Sequence, residues 1–195
     1  MTTKQAFVIY PEDFLSYTKF ERKLSNIFRN GPFVINYELD PNSFIEKFCT
    51  ENNAKKVQFK SPEEALSKST HAIFFEDREC YFTLKQIVFD MKIPYRTIVI
   101  ELTKVSNKDR GDAYDLYVGR GTIWGNPYQM GTDGNREEVI RKFQYDFDNG
   151  LLKASADFEK NIEPLKGKVI ACHCKPAACH GDVIALYLNS LDDGK

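Results

Sequence analysis

The 195-residue chain predicts an α/β protein in two parts: an N-terminal, doubly wound, Rossmann-like parallel sheet and a smaller C-terminal α/β domain. Three observations carry this. Short apolar runs alternate with amphipathic stretches through the first hundred residues. That β-α-β order makes parallel strands, because each crossover helix must cover a sheet face. The alternation then breaks at Thr103–Asp112 (TKVSNKDRGD), a polar, charged segment that reads as a linker or long surface loop. Beyond it come a glycine-rich loop, helices and a closing strand–helix pair. The predicted domains are 1–103 and 113–195, and a chain 42% hydrophobic can give both a core.

The elements follow in order. Ala6–Tyr10 fits a buried strand, and the helix after Pro11 places Phe14, Leu15, Phe20, Leu24, Ile27 and Phe28 roughly on one face. Asn30-Gly31-Pro32 stops that helix before a strand at Phe33–Tyr37. Asp40 suits an N-cap and Pro41 the first helical position of a second helix. Lys56–Phe59 reads as the third strand, and Ser61-Pro62-Glu63-Glu64 as the cap, proline and acidic first turn of a short helix. His71–Phe75, a helix over Cys80–Met91 and a strand at Arg96–Leu102 complete the first half. In the second half, Ala113–Val118 and Lys168–Cys172 read as strands. Gly119–Asn135 reads as loop, Arg136–Asn149 as helix, Leu151–Ile162 as helix or turn, and His180–Leu191 as the closing helix.

The formal net charge of −1 provides no basic field to hold a nucleic acid duplex, so a nucleic-acid-coating role is disfavoured. No signal-peptide layout is present, nor any apolar run approaching the roughly 18 residues of a membrane span. The expectation is a soluble, cytoplasmic protein that does not enter a membrane. An odd count of five cysteines argues against a disulfide scaffold.

In a doubly wound sheet, ligands sit past the carboxyl ends of the strands, which nominates the segments after Tyr10, Tyr37 and Phe75. Neither GxGxxG nor GxxxxGK[ST] occurs, which disfavours a standard dinucleotide or ATP site.

Two segments of the second half carry chemistry. In Tyr117-Val-Gly-Arg120-Gly-Thr-Ile-Trp124-Gly-Asn126-Pro127-Tyr128, Arg120 offers a fork of donors for phosphate or carboxylate, and Trp124 and Tyr128 offer rings to stack on a base or sugar. The plainer alternative is a glycine-rich loop pinned to the core by Trp124. In Cys172-His173-Cys174-Lys175-Pro176-Ala-Ala-Cys179-His180-Gly181-Asp182, three readings stand. Zinc on Cys172, Cys174, Cys179 and His180 is the first, although the spacing is poor for it, and no cofactor is otherwise implied. A thiolate nucleophile at Cys179, on a helix N-terminus, with His180 or His173 as base or acid, is the second. The third makes Cys172 a buried core residue and the rest a shaped turn. The spacing from Cys174 to His180 is similar to a cysteine phosphatase loop, but the arginine that class needs is absent.

The first half, over about residues 5 to 102, resembles the SLOG superfamily, in particular its small YspA-like members. The segments that carry this are FVIYPEDFLSYTKFERKL, FIEKFCTENNAKKVQF and ALSKSTHAIFFEDRECYFTLKQIVFDMKIPYRTIVI. The resemblance implies a Rossmannoid fold with a phosphate-binding glycine turn after the second strand. Here that turn reads Asn36-Tyr37-Glu38-Leu39-Asp40, with no glycine and two carboxylates, and Arg78-Glu79-Cys80 replaces a Gly-Thr pair after the fourth strand. This half therefore reads as a degenerate member, either a scaffold or homo-oligomerisation domain or a live ligand site.

The second half, over about residues 113 to 191, resembles the family catalogued as domain of unknown function 4326, found in phages and bacteria. The matching motifs are YVGRGTIWGNPYQMGTDGNREEVIRKF and LKGKVIACHCKPAACHGDVIALYL. His173 stands where that family usually has a bulky residue, which weakens a special role for it. The resemblance implies that the two segments form one pocket in a viral or mobile-element protein, one that would act in the host cytoplasm. Arg120, Trp124, Asn126, Tyr128, Lys175 and Asp182 are the ligand-binding candidates, with Cys179, His180 and Cys174 as catalytic ones. The leading expectation is binding, or sequestration, of a nucleotide-derived small molecule. The alternatives are a Cys/His-dependent enzyme on a nucleotide or nucleoside (hydrolase, glycosidase or base-modifying transferase) and a protein without a small ligand.

Overall fold

A computed structural model describes residues 3–194, and the chain divides into two compact units. The first comprises residues up to Ile100 together with those from Ser190 on; the second runs from Glu101 to Asn189.

In the first unit, strands β1 (Lys4–Ile9), β2 (Phe33–Tyr37), β3 (Lys55–Gln58), β4 (His71–Glu76) and β5 (Tyr95–Val99) alternate with helices α1 (Tyr17–Phe28), α2 (Phe44–Glu51), α3 (Pro62–Ser67) and α4 (Phe82–Asp90). The sheet is wholly parallel, in the order β3-β2-β1-β4-β5. Ala72, Ile73, Phe74 and Phe75 of β4 are all buried, as a strand covered on both faces requires. The edge strands β3 and β5 are mostly exposed or half-buried. Ser61 caps α3 by accepting from the Glu64 amide at 3.2 Å, with Pro62 in the first turn.

Helix α2 departs from expectation: it begins at Phe44 and leaves Pro41 in the preceding turn. Asp40 still caps it, because its carboxylate reaches forward to accept from the Ile45 and Glu46 amides at 3.0 and 2.9 Å. The same carboxylate accepts the Tyr10 hydroxyl. Around Tyr10 the rings of Phe14, Phe20 and Phe44 pack at centroid distances of 5.3 to 6.3 Å, and Phe75 stacks on Phe20 at 4.9 Å. The carboxyl end of this sheet is thus filled by the chain's own rings and carboxylate.

The second unit is built on β6 (Lys104–Asn107), β7 (Leu116–Tyr117) and β8 (Val169–Cys172), parallel and in the order β6-β8-β7. Helices α5 (Arg136–Asp148), α6 (Phe158–Ile162) and α7 (His180–Ser190) complete it. The segment expected to be a linker at Thr103–Asp112 is therefore part of the fold. Its β6 pairs with β8, and Thr103 is buried. The Asn189 side chain accepts from the Thr103 amide at 2.8 Å and donates to its carbonyl at 3.1 Å. The segment's polarity misleads because the carboxamide satisfies both backbone groups inside the protein. The predicted Ala113–Val118 strand shrinks to two residues. Trp124, Phe143, Phe147, Ile162, Ile170, Ile184 and Leu188 belong to the core of this unit. Among the described residues, no helix is long and apolar enough to cross a membrane.

Candidate functional site

Two segments converge at the carboxyl end of β8. One is the loop from Gly119 to Asn135, which precedes α5; the other is the turn from His173 to Cys179, which leads into α7. Between them lies a cavity of about 630 Å³. Its lining includes Arg120, Asn126, Tyr128, Cys174, Cys179 and His180, six of the nine residues nominated from sequence.

The loop is held by its own chemistry. Gly125 lies so close to the chain that a side-chain carbon there would fall 2.8 Å from the Gly119 carbonyl oxygen, so no other residue fits. Asn126 donates to the Val139 carbonyl of α5 at 3.1 Å and accepts from the Tyr128 amide at 2.9 Å. Tyr128 donates its hydroxyl to Asp146 at 2.7 Å, fixing the ring beside the cavity. Arg120 donates to the Tyr128 carbonyl at 3.2 Å.

Three nominated residues lie elsewhere. Trp124 is buried in the core, with Phe158 and Phe147 at 6.2 and 6.4 Å, so its ring anchors the loop and is not offered to a ligand. Lys175 and Asp182 pair with each other, and Asp182 also accepts from the Cys179 amide at 2.8 Å, which caps the start of α7. Neither lines the cavity.

Sequence reasoning missed Arg136. It is the first residue of α5, whose start is set by a full capping box between Asn135 and Glu138. It donates to the Ala178 carbonyl of the cysteine turn at 3.1 Å and lines the cavity, as Arg120 does. A cation in the first turn opposes the helix dipole, and that local conflict is the signal that could have found it. Tyr117 and the exposed linker-segment residue Asp109 were also overlooked. Tyr117 lines the cavity, and its ring meets that of His173 at 5.4 Å. Asp109 bonds the His173 Nδ1 at 2.8 Å, while Asn107 donates to the His173 and Lys175 carbonyls.

Residues 3–106 match the family described as the minimal SLOG domain, and residues 102–190 match the domain of unknown function (DUF4326). The chain belongs to both families. The DUF4326 match starts at β6, in agreement with the structural unit rather than with the expected linker. A relative from Enterobacteria phage T4, described as an uncharacterized 12.4 kDa protein in the nrdA-td intergenic region, is 42% identical over 91 residues. That alignment covers 46% of this chain and 81% of the phage protein. No solved structure matches the chain.

Within the DUF4326 unit, the cysteines do not behave as the sequence suggested. The Cys172 and Cys179 sulfurs lie 2.9 Å apart, and Cys172 accepts from the Cys174 amide at 3.4 Å. The Cys179 thiol, then burial opposing it, then backbone amides set the acidity of Cys172, which lies well below the ordinary thiol range. Cys179 moves the other way, raised by its bond to Cys172 and by burial. The acidity expected at Cys179 is thus shifted toward Cys172, whose sulfur accepts a backbone amide. His180 is buried against Phe143, and its Nε2 lies 2.9 Å from the Val118 carbonyl. A carbonyl only accepts, so Nε2 carries the hydrogen and Nδ1 is the nitrogen left for acid–base work.

The zinc set fits poorly. Two thiolates on a tetrahedral zinc, each about 2.3 Å from the metal, stand roughly 3.8 Å apart. The Cys172 and Cys179 sulfurs are 2.9 Å apart, and the His180 Nε2 is engaged by backbone. Among the described residues, no group of three or more His, Cys, Asp or Glu side chains is arranged to hold a metal ion.

Proposed function

We propose that the DUF4326 unit binds a nucleotide-derived small molecule, and that the protein serves in a phage or mobile-element setting, where such binding would sequester the ligand. One observation carries this reading: Arg120 and Arg136 line the same 630 Å³ cavity as the rings of Tyr117 and Tyr128. Guanidinium forks suit phosphate, tyrosine rings suit a base or sugar, and the volume lies within the range of small-molecule sites. The T4 relative supports the phage setting. The SLOG unit acts on this reading as the scaffold, since Asp40 and the surrounding rings occupy the end of its sheet.

Thermal denaturation with nucleotides, cyclic nucleotides and ADP-ribose derivatives tests it. A ligand at 100 times its dissociation constant should add about 2.7 kcal/mol. No stabilisation by any of these classes would overturn the reading.

A second reading, a thiol-dependent enzyme on a nucleotide or nucleoside, is favoured by Cys172 in the cavity lining, its pKa held below the ordinary thiol range. Cys172 would be the nucleophile, and Cys179 and His180 its neighbours. Cys172→Ser separates the readings: under the enzyme view turnover is lost while ligand binding survives.

A further inference from the structure

The turn after β8 brings two thiols together that lie seven residues apart in the chain. Their sulfurs stand 2.9 Å apart, and a disulfide bond measures about 2.05 Å. Less than an ångström of approach separates this contact from a covalent bond. Both sulfurs belong to residues of the cavity lining, as does the half-buried Cys174. We propose that Cys172 and Cys179 form a redox-active dithiol that reduces low-molecular-weight disulfides admitted to the cavity.

The chemistry balances without a cofactor. The Cys172 thiolate attacks one sulfur of the small disulfide, forming a mixed disulfide and expelling a thiolate that takes a proton from water. Cys179 then gives its proton to water and attacks the Cys172 sulfur, closing the intramolecular disulfide and expelling the second thiolate. The second thiolate likewise takes a proton from water; counted from the dithiol, whose Cys172 has already given its proton to water, the protein loses two electrons and two protons, and the small disulfide becomes two thiols. Cys172 attacks first because its sulfur accepts the Cys174 amide, which favours its thiolate. Its acidity agrees with that order. Cys179 is the resolving thiol because it already points at Cys172. This chemistry needs no nucleotide, so its outcome is independent of the ligand reading above.

The test incubates the full chain with 2-hydroxyethyl disulfide, alkylates the remaining thiols after unfolding and maps the peptides by mass. The expected product has lost two hydrogens and carries a Cys172–Cys179 cross-link, with Cys174 still alkylated. Cys80→Ser, which removes the exposed thiol outside the cavity, should behave as the parent does. Cys179→Ser should stop at a mixed disulfide on Cys172. The proposal is overturned if exposed Cys80 reacts while Cys172 and Cys179 both stay alkylatable. It is equally overturned if Cys172 pairs with Cys174, or if the purified protein holds stoichiometric zinc that protects these thiols. The map of the parent protein decides the matter even where a variant fails to fold.

Discussion

In the SLOG unit, the end of the sheet where a ligand would sit is taken by side chains. The Asp40 carboxylate occupies the amides that open α2, Tyr10 donates to that carboxylate, and Phe14, Phe20, Phe44 and Phe75 fill the space around them. In the DUF4326 unit, the corresponding end of β8 looks onto a cavity, because the glycine-bearing loop turns its one tryptophan inward and leaves Arg120 and Tyr128 beside the opening. Both units are parallel strands followed by helices. Architecture therefore nominates a site in each, and the side chains at the strand ends decide which one stays open.

The largest effect that would test this contrast is at Trp124. As a core residue, its replacement by alanine should destabilise the second unit by about 3–5 kcal/mol in denaturant unfolding. A change that weakened ligand binding but left unfolding untouched would return the ring to the site. The arginines should behave in the opposite manner. Arg120→Ala and Arg136→Ala each remove a charge-assisted donor, which should weaken an anionic ligand by about 10- to 100-fold in a binding titration and leave the unfolding midpoint in place. Equal losses of stability would make them structural.

In the SLOG unit, Asp40→Ala takes an acceptor from two amides and a hydroxyl and should cost about 1–2 kcal/mol, with Asp40→Asn milder. An unchanged midpoint would mean that the end of that sheet is not closed by Asp40.

The dithiol gives a pH test. Cys172 has a lowered folded-state pKa, so its stabilising contribution is full above the ordinary thiol value of about 8.5 and is lost as pH falls through the lowered one. Ultraviolet thiolate absorbance should persist well below that ordinary value in the parent and vanish in Cys172→Ser. Cys179 is raised and works against the folded state at alkaline pH, so the stability advantage over Cys179→Ser should shrink there. The smallest effect belongs to Lys175, whose pair with Asp182 is partly exposed: Lys175→Met should change stability by less than about 1 kcal/mol.

Much of the fold was legible because burial leaves a pattern in sequence. The run at His71–Phe75 reads as a strand covered on both faces, and Ser61-Pro62-Glu63-Glu64 as a helix start, since apolar periodicity and capping are local. The strand at Lys104–Asn107 was not legible. Its polar residues look like linker until Asn189, some 86 positions away, bonds the backbone of Thr103. The site divides in the same way. The loop and the cysteine turn stand out by composition, but nothing local shows that Trp124 turns inward or that Lys175 and Asp182 satisfy each other.

By itself, then, the sequence determined the two α/β halves, the family membership and the two segments that meet at β8. Periodicity, glycine and cysteine spacing are properties of neighbours along the chain. Only the tertiary structure decided that Arg136 joins Arg120, that the first sheet's end is filled, and that the Cys172 and Cys179 sulfurs meet. Those outcomes depend on which groups meet after folding, and hydrogen bonds and charge act over a few ångströms of space, whatever the separation in sequence.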